Sequence, residues 1–226
     1  VVIGNAIEEC KMLAERLDAP VCNGYQHNDS FPGSHPLAVG PLGYNGSKAA
    51  MQLISKADVV LALGTRLNPF STLPGYGIDY WPKNATIIQV DMNPDRIGLT
   101  KKVTVGICGD CKMVAKQISD KLSNDAGNDG REERKNLIHK TKSAWLQTLT
   151  GLDHEEDDPG TVWNKEARER DKDRMSPRQA WRAIQEAIPT GAIISSDIGN
   201  NCAIGNAYPT FEEGRKYLAP GLFGPC

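Results

Sequence analysis

The sequence predicts an α/β protein in which a doubly wound parallel sheet is followed by the start of a second α/β unit. Two continuous apolar runs, Asp58–Gly64 and Thr86–Asp91, have the composition of strands that are buried on both faces. Amphipathic helical segments surround these runs, at residues 6–17, 47–56 and 110–122. After a change in composition, another helix, strand and loop follow from Ser176 onward.

Residues 1–123 are predicted to form a central Rossmann-like domain. Pro20–Cys22 is a short predicted strand after the first helix. Gly4 already lies in the loop before that helix, so we expect the first strand of the domain to be missing. An antiparallel sheet within residues 58–91 would contradict this fold.

Residues 124–175 are predicted to form a linker that contains one helix and a charged insertion. Asn124–Gly130 is a flexible break rich in Gly, Asn and Asp, and a helix is predicted from Arg131 to Leu149. An acidic run, 153–158, and a stretch of mixed charge, 165–174, follow. Such charge patterning is typical of a solvated segment between domains.

Residues 176–226 are predicted to begin a second domain that the chain does not complete. Ser176 and Pro177 form a favourable helix start, as N-cap and first helical residue. The buried face of this helix is expected to hold Ala180, Trp181, Ile184 and Ile188. A strand, 191–197, and a loop, 198–201, come next. Both ends of the chain are expected to cut through structure.

Composition narrows the classes of partner. The net charge of −2 gives no basic excess for nucleic acid or an anionic membrane. No apolar run reaches the roughly 18 residues that span a bilayer, and no signal peptide is recognisable. The scattered cysteines are typical of a reduced protein, so we expect a cytoplasmic location with neither nucleic acid nor membrane as partner.

Cys108 and Cys111 form a C-x-x-C pair whose function the sequence leaves open. A redox or metal site is one interpretation, although no second ligand pair completes a zinc site. The interpretation that we prefer makes Asp110 the N-cap of a helix and lets both cysteines pack. The histidines show no metal-ligand spacing; they are His27, His35, His139 and His154.

Loops beyond the carboxyl ends of the strands are where ligands bind in open α/β sheets. Arg66 and Asp91 lie in two such loops and are candidates for contact with a phosphate and a ribose hydroxyl. No G-x-G-x-x-G motif accompanies them, so a structural capping role is favoured for both. The sequence shows no nucleophile beside a base.

Several motifs resemble the acetolactate-synthase-type family of thiamine-diphosphate enzymes. Leu61–Arg66 followed by Ile88–Asn93 resembles the central domain of that family, and the loop of His35 to Gly40 is also similar. Ser176–Ala180 resembles the start of the cofactor domain. The resemblance covers nearly the whole chain.

Three long stretches resemble one branch of this family, which converts sulfoacetaldehyde and phosphate to acetyl phosphate and sulfite. They are Asn23–Leu37, Leu67–Gly77 and Tyr208–Cys226. The resemblance implies thiamine diphosphate and Mg²⁺ as cofactors of the complete enzyme and sulfoacetaldehyde and phosphate as substrates. It also implies a homo-oligomer, dimer or tetramer, that takes part in taurine and sulfonate degradation.

The resemblance also implies which residues meet the cofactor. Gly199, Asn200 and Asn201 would lie against the diphosphate, and Gly224 would let the backbone approach the aminopyrimidine. Cys226 would support the bent cofactor as a small apolar residue. The catalytic glutamate of the family would lie upstream and its metal motif downstream. The chain alone is therefore expected to be inactive, with no catalytic residue and no metal ligand.

Two alternatives remain open at the level of sequence. Another thiamine-diphosphate enzyme, such as an acetolactate synthase or a 2-oxo acid decarboxylase, would differ in its substrate loops, and a bound flavin would favour the synthase. A non-catalytic nucleotide-binding module is an alternative of another class. Nucleotide binding by residues 1–123 alone would support it.

Overall fold

Helices and parallel strands alternate in the computed structural model, which describes residues 1–153, 174–197 and 199–219. The helices are Ile7–Leu17 (α1), Lys48–Ile54 (α2), Pro69–Thr72 (α3), Cys111–Lys121 (α4), Arg131–Asp153 (α5), Pro177–Ala187 (α6) and Asn200–Ala207 (α7). The strands are Val21–Asn23 (β1), Ala38–Pro41 (β2), Val59–Leu63 (β3), Thr86–Asp91 (β4), Val105–Cys108 (β5), Ile194–Ser195 (β6) and Tyr217–Leu218 (β7).

All strand pairs among the described residues are parallel. β4 lies between β3 and β5, β1 pairs with β2, and β6 pairs with β7. The predicted α/β class is therefore confirmed. The strands form three separate hydrogen-bonded groups, and the first two groups are joined by packing, since Val21 and Val60 contact the same apolar core.

Side chains alternate in direction along β3 and β4, and an apolar cluster lies on each face of these strands. On one side, Leu61, Leu63 and Val90 pack with α1 and α4, where Val114 is buried. On the other side, Ala62 and Ile87 form an apolar cluster with Leu67, Trp81 and Val103. The continuous apolar runs that predicted these strands reflect this two-sided burial.

The largest apolar core gathers around α2. Met51 and Tyr80 are fully buried in it, together with Phe31 from the loop after β1. Ser47 caps α2 by accepting a hydrogen bond from the Ala50 N–H. α5 contributes Ile138 to the same core, so this helix packs against the first α/β unit through its apolar side.

The C-x-x-C segment lies at the junction of β5 and α4. The Asp110 carboxylate accepts from the N–H groups of Lys112 and Met113, which confirms the predicted helix cap. Cys111 is buried, but Cys108 is exposed at the end of edge strand β5, so the expectation that both cysteines pack was wrong. Both are free thiols.

The second α/β unit comprises α6, β6, α7 and β7. A capping box starts α6, because Ser176 and Gln179 each accept from the other's backbone N–H. The prediction of a buried face on α6 was wrong: Ile184 is 43% exposed, and Ala180, Trp181 and Ile188 are only partly buried. The two-residue strands β6 and β7 are too short to cover this helix.

Two local predictions in this unit also needed correction. The strand predicted for residues 191–197 is limited to Ile194–Ser195. The loop predicted for residues 198–201 gives way to α7, which already begins at Asn200. Elsewhere, no helix in the described part of the chain is both long and apolar enough to cross a membrane.

Replacing Ile138 with Ala is expected to destabilise the chain. Ile138 is 4% exposed in the core beside α2, so the substitution leaves a cavity and should cost roughly 2–5 kcal/mol of unfolding free energy. Urea unfolding of purified protein measures this loss. Leu146 lies on the same helix but is exposed, so L146A is the matched control and should change stability by less than about 0.5 kcal/mol. Equal effects of the two changes would contradict the packing of α5 described above.

Candidate functional site

One buried amide fixes two of the loops at the carboxyl edge of the central sheet. The side-chain nitrogen of Gln89, on β4, donates to the carbonyl oxygens of Thr65, at 3.0 Å, and Arg96, at 3.2 Å. Its side-chain oxygen accepts from the Gly98 N–H at 2.8 Å. In the sequence, Gln89 stands as a polar residue inside the apolar run of β4, and such a residue is a signal of a buried network.

Arg66 and Asp91, the candidates for phosphate or nucleotide contact, lie at this edge. Asp91 is buried, and its carboxylate accepts from the Asn93 N–H at 2.9 Å, so it caps the turn after β4. Arg66 is exposed after β3. No hydrogen bond or ion pair joins the two within the described ranges. Their proposed ligand contacts therefore stay predictions.

A second set of polar contacts joins the first unit to the second. It is made by the residues after β1, Gly24–His35, which we name the docking loop. Gly33 at its far end donates to the Phe211 carbonyl at 2.8 Å, and the exposed Ser34 donates to the Glu212 carboxylate. The docking loop and the segment from Asn206 to Leu218 thus face each other along their length.

Asn206 is the most buried polar residue of this junction, with no exposed surface. Its side-chain oxygen accepts from the Gln26 N–H at 2.8 Å, and its side-chain nitrogen donates to the Tyr44 carbonyl at 2.9 Å. The side-chain nitrogen of Asn28 donates in turn to the carbonyl oxygens of Asn206 and Pro209, each at 2.9 Å. These bonds hold α7 and the residues after it against the docking loop.

Asp29 places a buried carboxylate beside β7. It is 4% exposed, and its Oδ2 accepts from the N–H groups of Lys216, at 3.1 Å, and Tyr217, at 3.3 Å. The Lys216 ammonium turns away, since it donates to the Gly191 carbonyl and pairs with Glu213. The described partners of Asp29 at the junction are therefore backbone donors.

Cys202 of α7 is held by two side chains of the docking loop. The Tyr25 hydroxyl lies 2.7 Å from its sulfur, and the side-chain nitrogen of Gln26 donates to the same sulfur at 2.8 Å. Burial, and then the contact with Cys202, raise the pKa of Tyr25 above its usual range, so the phenol stays protonated at neutral pH.

The first turn of α7 presents the predicted diphosphate-binding residues. Gly199 is its N-cap, with φ of 73° and ψ of −139°, and no side chain caps the helix there. Asn200 and Asn201 are the first two helical residues. The N–H groups in the first turn of a helix whose N-cap is an exposed glycine form a donor set that suits an anion such as a diphosphate. Gly224 and Cys226 lie outside the described residues.

Two further features of the described residues are their potential as metal ligands and a surface cleft. The described residues contain no group of three or more His, Cys, Asp and Glu side chains that could hold a metal ion. A shallow cleft lies between the end of α6 and the segment at Phe211, lined by Ile188, Pro189 and Ile194 among others. None of the predicted site residues lines it, so we place the candidate site at α7 on the chemistry of its donors.

Comparison with known proteins gives a consistent result. The family model for the central domain of thiamine pyrophosphate enzymes matches residues 1–118. Over its full length the chain is 77% identical to the probable sulfoacetaldehyde acetyltransferase of Rhizobium meliloti (strain 1021) and 75% identical to the sulfoacetaldehyde acetyltransferase of Roseovarius nubinhibens, and it covers 38% of each. A probable acetolactate synthase large subunit of Methanococcus aeolicus is 27% identical over 99% of the chain, which covers 36% of that relative. The chain thus spans well under half the length of these relatives.

Replacing Asn206 with Ala is expected to weaken the junction. The change removes the hydrogen bonds to the Gln26 N–H and the Tyr44 carbonyl, which are partly buried, at roughly 0.5–1.5 kcal/mol for each bond. Denaturant unfolding should therefore shift to lower denaturant concentration. Thr210 is exposed in the same segment, so T210A is the control and should leave the midpoint nearly unchanged. A wild-type midpoint for N206A would show that the junction does not contribute to stability.

Proposed function

Because this chain belongs to the family of thiamine pyrophosphate enzymes, we propose that it is part of a sulfoacetaldehyde acetyltransferase. The complete enzyme would convert sulfoacetaldehyde and phosphate to acetyl phosphate and sulfite. The observation that supports this most strongly is the identity of 69–77% over the entire chain to three proteins of that name. The relatives named acetolactate synthase, at 27% and 23% identity over 99% of the chain, support the family more than that reaction.

The proposed role of this chain is to bind and orient the cofactor. Thiamine diphosphate, when bound, supplies an electron sink for cleavage of the bond to the sulfonate group. Backbone N–H groups at Gly199, Asn200 and Asn201 would donate to its diphosphate, where the positive end of the α7 dipole also attracts negative charge. Mg²⁺, held by the family's metal motif in the complete enzyme, would neutralise charge on the diphosphate.

The end of the chain has a proposed role at the aminopyrimidine. Gly224, which has no Cβ, would let the backbone come close to the ring. Cys226 would pack as a small apolar side chain that keeps the cofactor bent. A covalent role for this thiol is disfavoured, because the cofactor already supplies the nucleophile.

We also propose a setting for the complete enzyme. The five described cysteines are free thiols, which supports a cytoplasmic location. Family resemblance supports a homo-oligomer, dimer or tetramer, and a place in taurine and sulfonate degradation.

The full-length enzyme tests the proposed reaction directly. Purified protein with thiamine diphosphate and Mg²⁺ should release sulfite and form acetyl phosphate when given sulfoacetaldehyde and phosphate. Omitting phosphate should abolish acetyl phosphate, and pyruvate should give no acetolactate. Acetolactate from pyruvate, without sulfite release from sulfoacetaldehyde, would assign the chain to a synthase instead.

Replacing Asn201 with Leu in the full-length enzyme is expected to raise the thiamine diphosphate concentration needed for half-maximal activity, by about tenfold. The substitution removes an amide at the first turn of α7 and places a bulky apolar group beside the diphosphate. Asn124 is exposed and far from Asn201 in the sequence, so N124L is the control. It should need the same thiamine diphosphate concentration as wild type. An unchanged requirement in N201L would contradict the assignment.

Replacing Cys226 with Ala distinguishes packing from covalent chemistry. If the side chain only supports the cofactor, C226A should retain partial activity, within about tenfold of wild type, since a small hydrophobic group is shortened. The assay is sulfite release at saturating thiamine diphosphate. A loss of several orders of magnitude with normal cofactor binding would favour a reactive thiol.

A further inference from the structure

We propose that Asp29, a residue of the first α/β unit, is a positioning residue for the cofactor bound by the second unit. The inference rests on the proposed function, because it concerns thiamine diphosphate. It assigns a role to a carboxylate that would not touch the cofactor and that acts through the backbone of β7.

The buried carboxylate of Asp29 requires hydrogen-bond donors. A carboxylate that is 4% exposed is unfavourable unless its charge is met by hydrogen bonds. The two bonds from Lys216 and Tyr217 meet this need, and bonds to a charged acceptor are stronger than bonds between neutral groups. The contact therefore fixes the backbone where the chain enters β7.

β7 is linked to the predicted diphosphate-binding residues, 199–201, through its pairing with β6. The carbonyl oxygens of Lys216 and Leu218 accept from the N–H groups of Ile194 and Ser196, so β7 sets the position of β6. The chain runs from β6 shortly into Gly199 and α7. One side chain thus restrains β7 and, through it, the strand that precedes the predicted diphosphate-binding residues.

The docking loop also holds α7, through contacts of Asn28 that do not involve Asp29. Asn28, next to Asp29, donates to the carbonyl oxygens of Asn206 and Pro209 at the end of α7. Asn28 and Asp29 therefore bind the helix and the strand from one short stretch of backbone. Loss of the Asp29 contact leaves the C-terminal end of α7 anchored and removes one restraint on β7 and its partner β6, so we expect a loss of alignment before Gly199 rather than loss of the fold.

The experiment is calorimetric titration of full-length apoenzyme with thiamine diphosphate in the presence of Mg²⁺. D29A should raise the Kd for thiamine diphosphate at least about tenfold. D29N should raise it less, by about threefold, because the amide oxygen still accepts both N–H groups but lacks the charge. At saturating thiamine diphosphate, kcat for sulfite release should stay within about threefold of wild type, because Asp29 touches no reacting atom.

The matched control is E212A. Glu212 bridges the same two units through its hydrogen bonds to Ser34, but it is exposed, so the Kd and kcat of E212A should match wild type. A wild-type Kd in D29A would overturn the inference. A D29A enzyme whose kcat falls with an unchanged Kd would also overturn it, since that pattern marks general structural support. Where D29A does not fold, D29N decides: a raised Kd supports the inference and a wild-type Kd overturns it.

These outcomes separate the inference from the proposed reaction. Cofactor binding is measured without substrate, so a protein that binds thiamine diphosphate but releases no sulfite would refute the acetyltransferase and leave the Asp29 result intact. A wild-type protein that does not bind thiamine diphosphate would overturn both.

Discussion

Directional hydrogen bonds from a buried amide fix the place where the two α/β units meet. Asn206 has no exposed surface, and its side-chain oxygen and nitrogen bond to the Gln26 N–H and the Tyr44 carbonyl of the first unit. Apolar contacts tolerate small rotations, whereas a set of directional bonds at 2.8–2.9 Å does not. The junction therefore specifies the placement of α7, and with it the orientation of the helix end that we assign to the diphosphate.

The same use of a buried amide recurs within the first unit. Gln89 joins two loops at the sheet edge through three bonds, much as Asn206 joins α7 to the docking loop. In both places an amide is effective because it offers a donor and an acceptor on one short side chain. These bonds hold irregular backbone in one conformation. Such preorganisation lowers the free-energy cost of binding a ligand.

The parts of the fold that sequence predicted are those whose signal is local. β3 and β4 are continuous apolar runs and α4 has a strong N-cap, so periodicity and capping located them. β2 and β5 were missed because each has four residues and includes a glycine. Helical periodicity located the apolar side of α6. It does not show which residues pack against that side, so the expected burial of Ile184 was wrong.

The residues of the candidate site could likewise be identified only in part from the sequence. Gly199, Asn200 and Asn201 came from resemblance, and the start of α7 at Asn200 was not predicted, because its residues show no apolar periodicity. Asp29 could not be identified from sequence, since its partners are backbone N–H groups 187 and 188 positions away. Every residue except proline has a backbone N–H, so residue type does not show which N–H groups bind Asp29.

That separation along the chain has a consequence for the order of assembly during synthesis. Phe31, Met51 and Tyr80 can pack as soon as the first unit has left the ribosome. Asn28 and Asp29 must then wait until the segment through Tyr217 is made, and during that interval water hydrates them. The junction therefore closes only after the second unit has been made, and until then the polar groups of the docking loop face water.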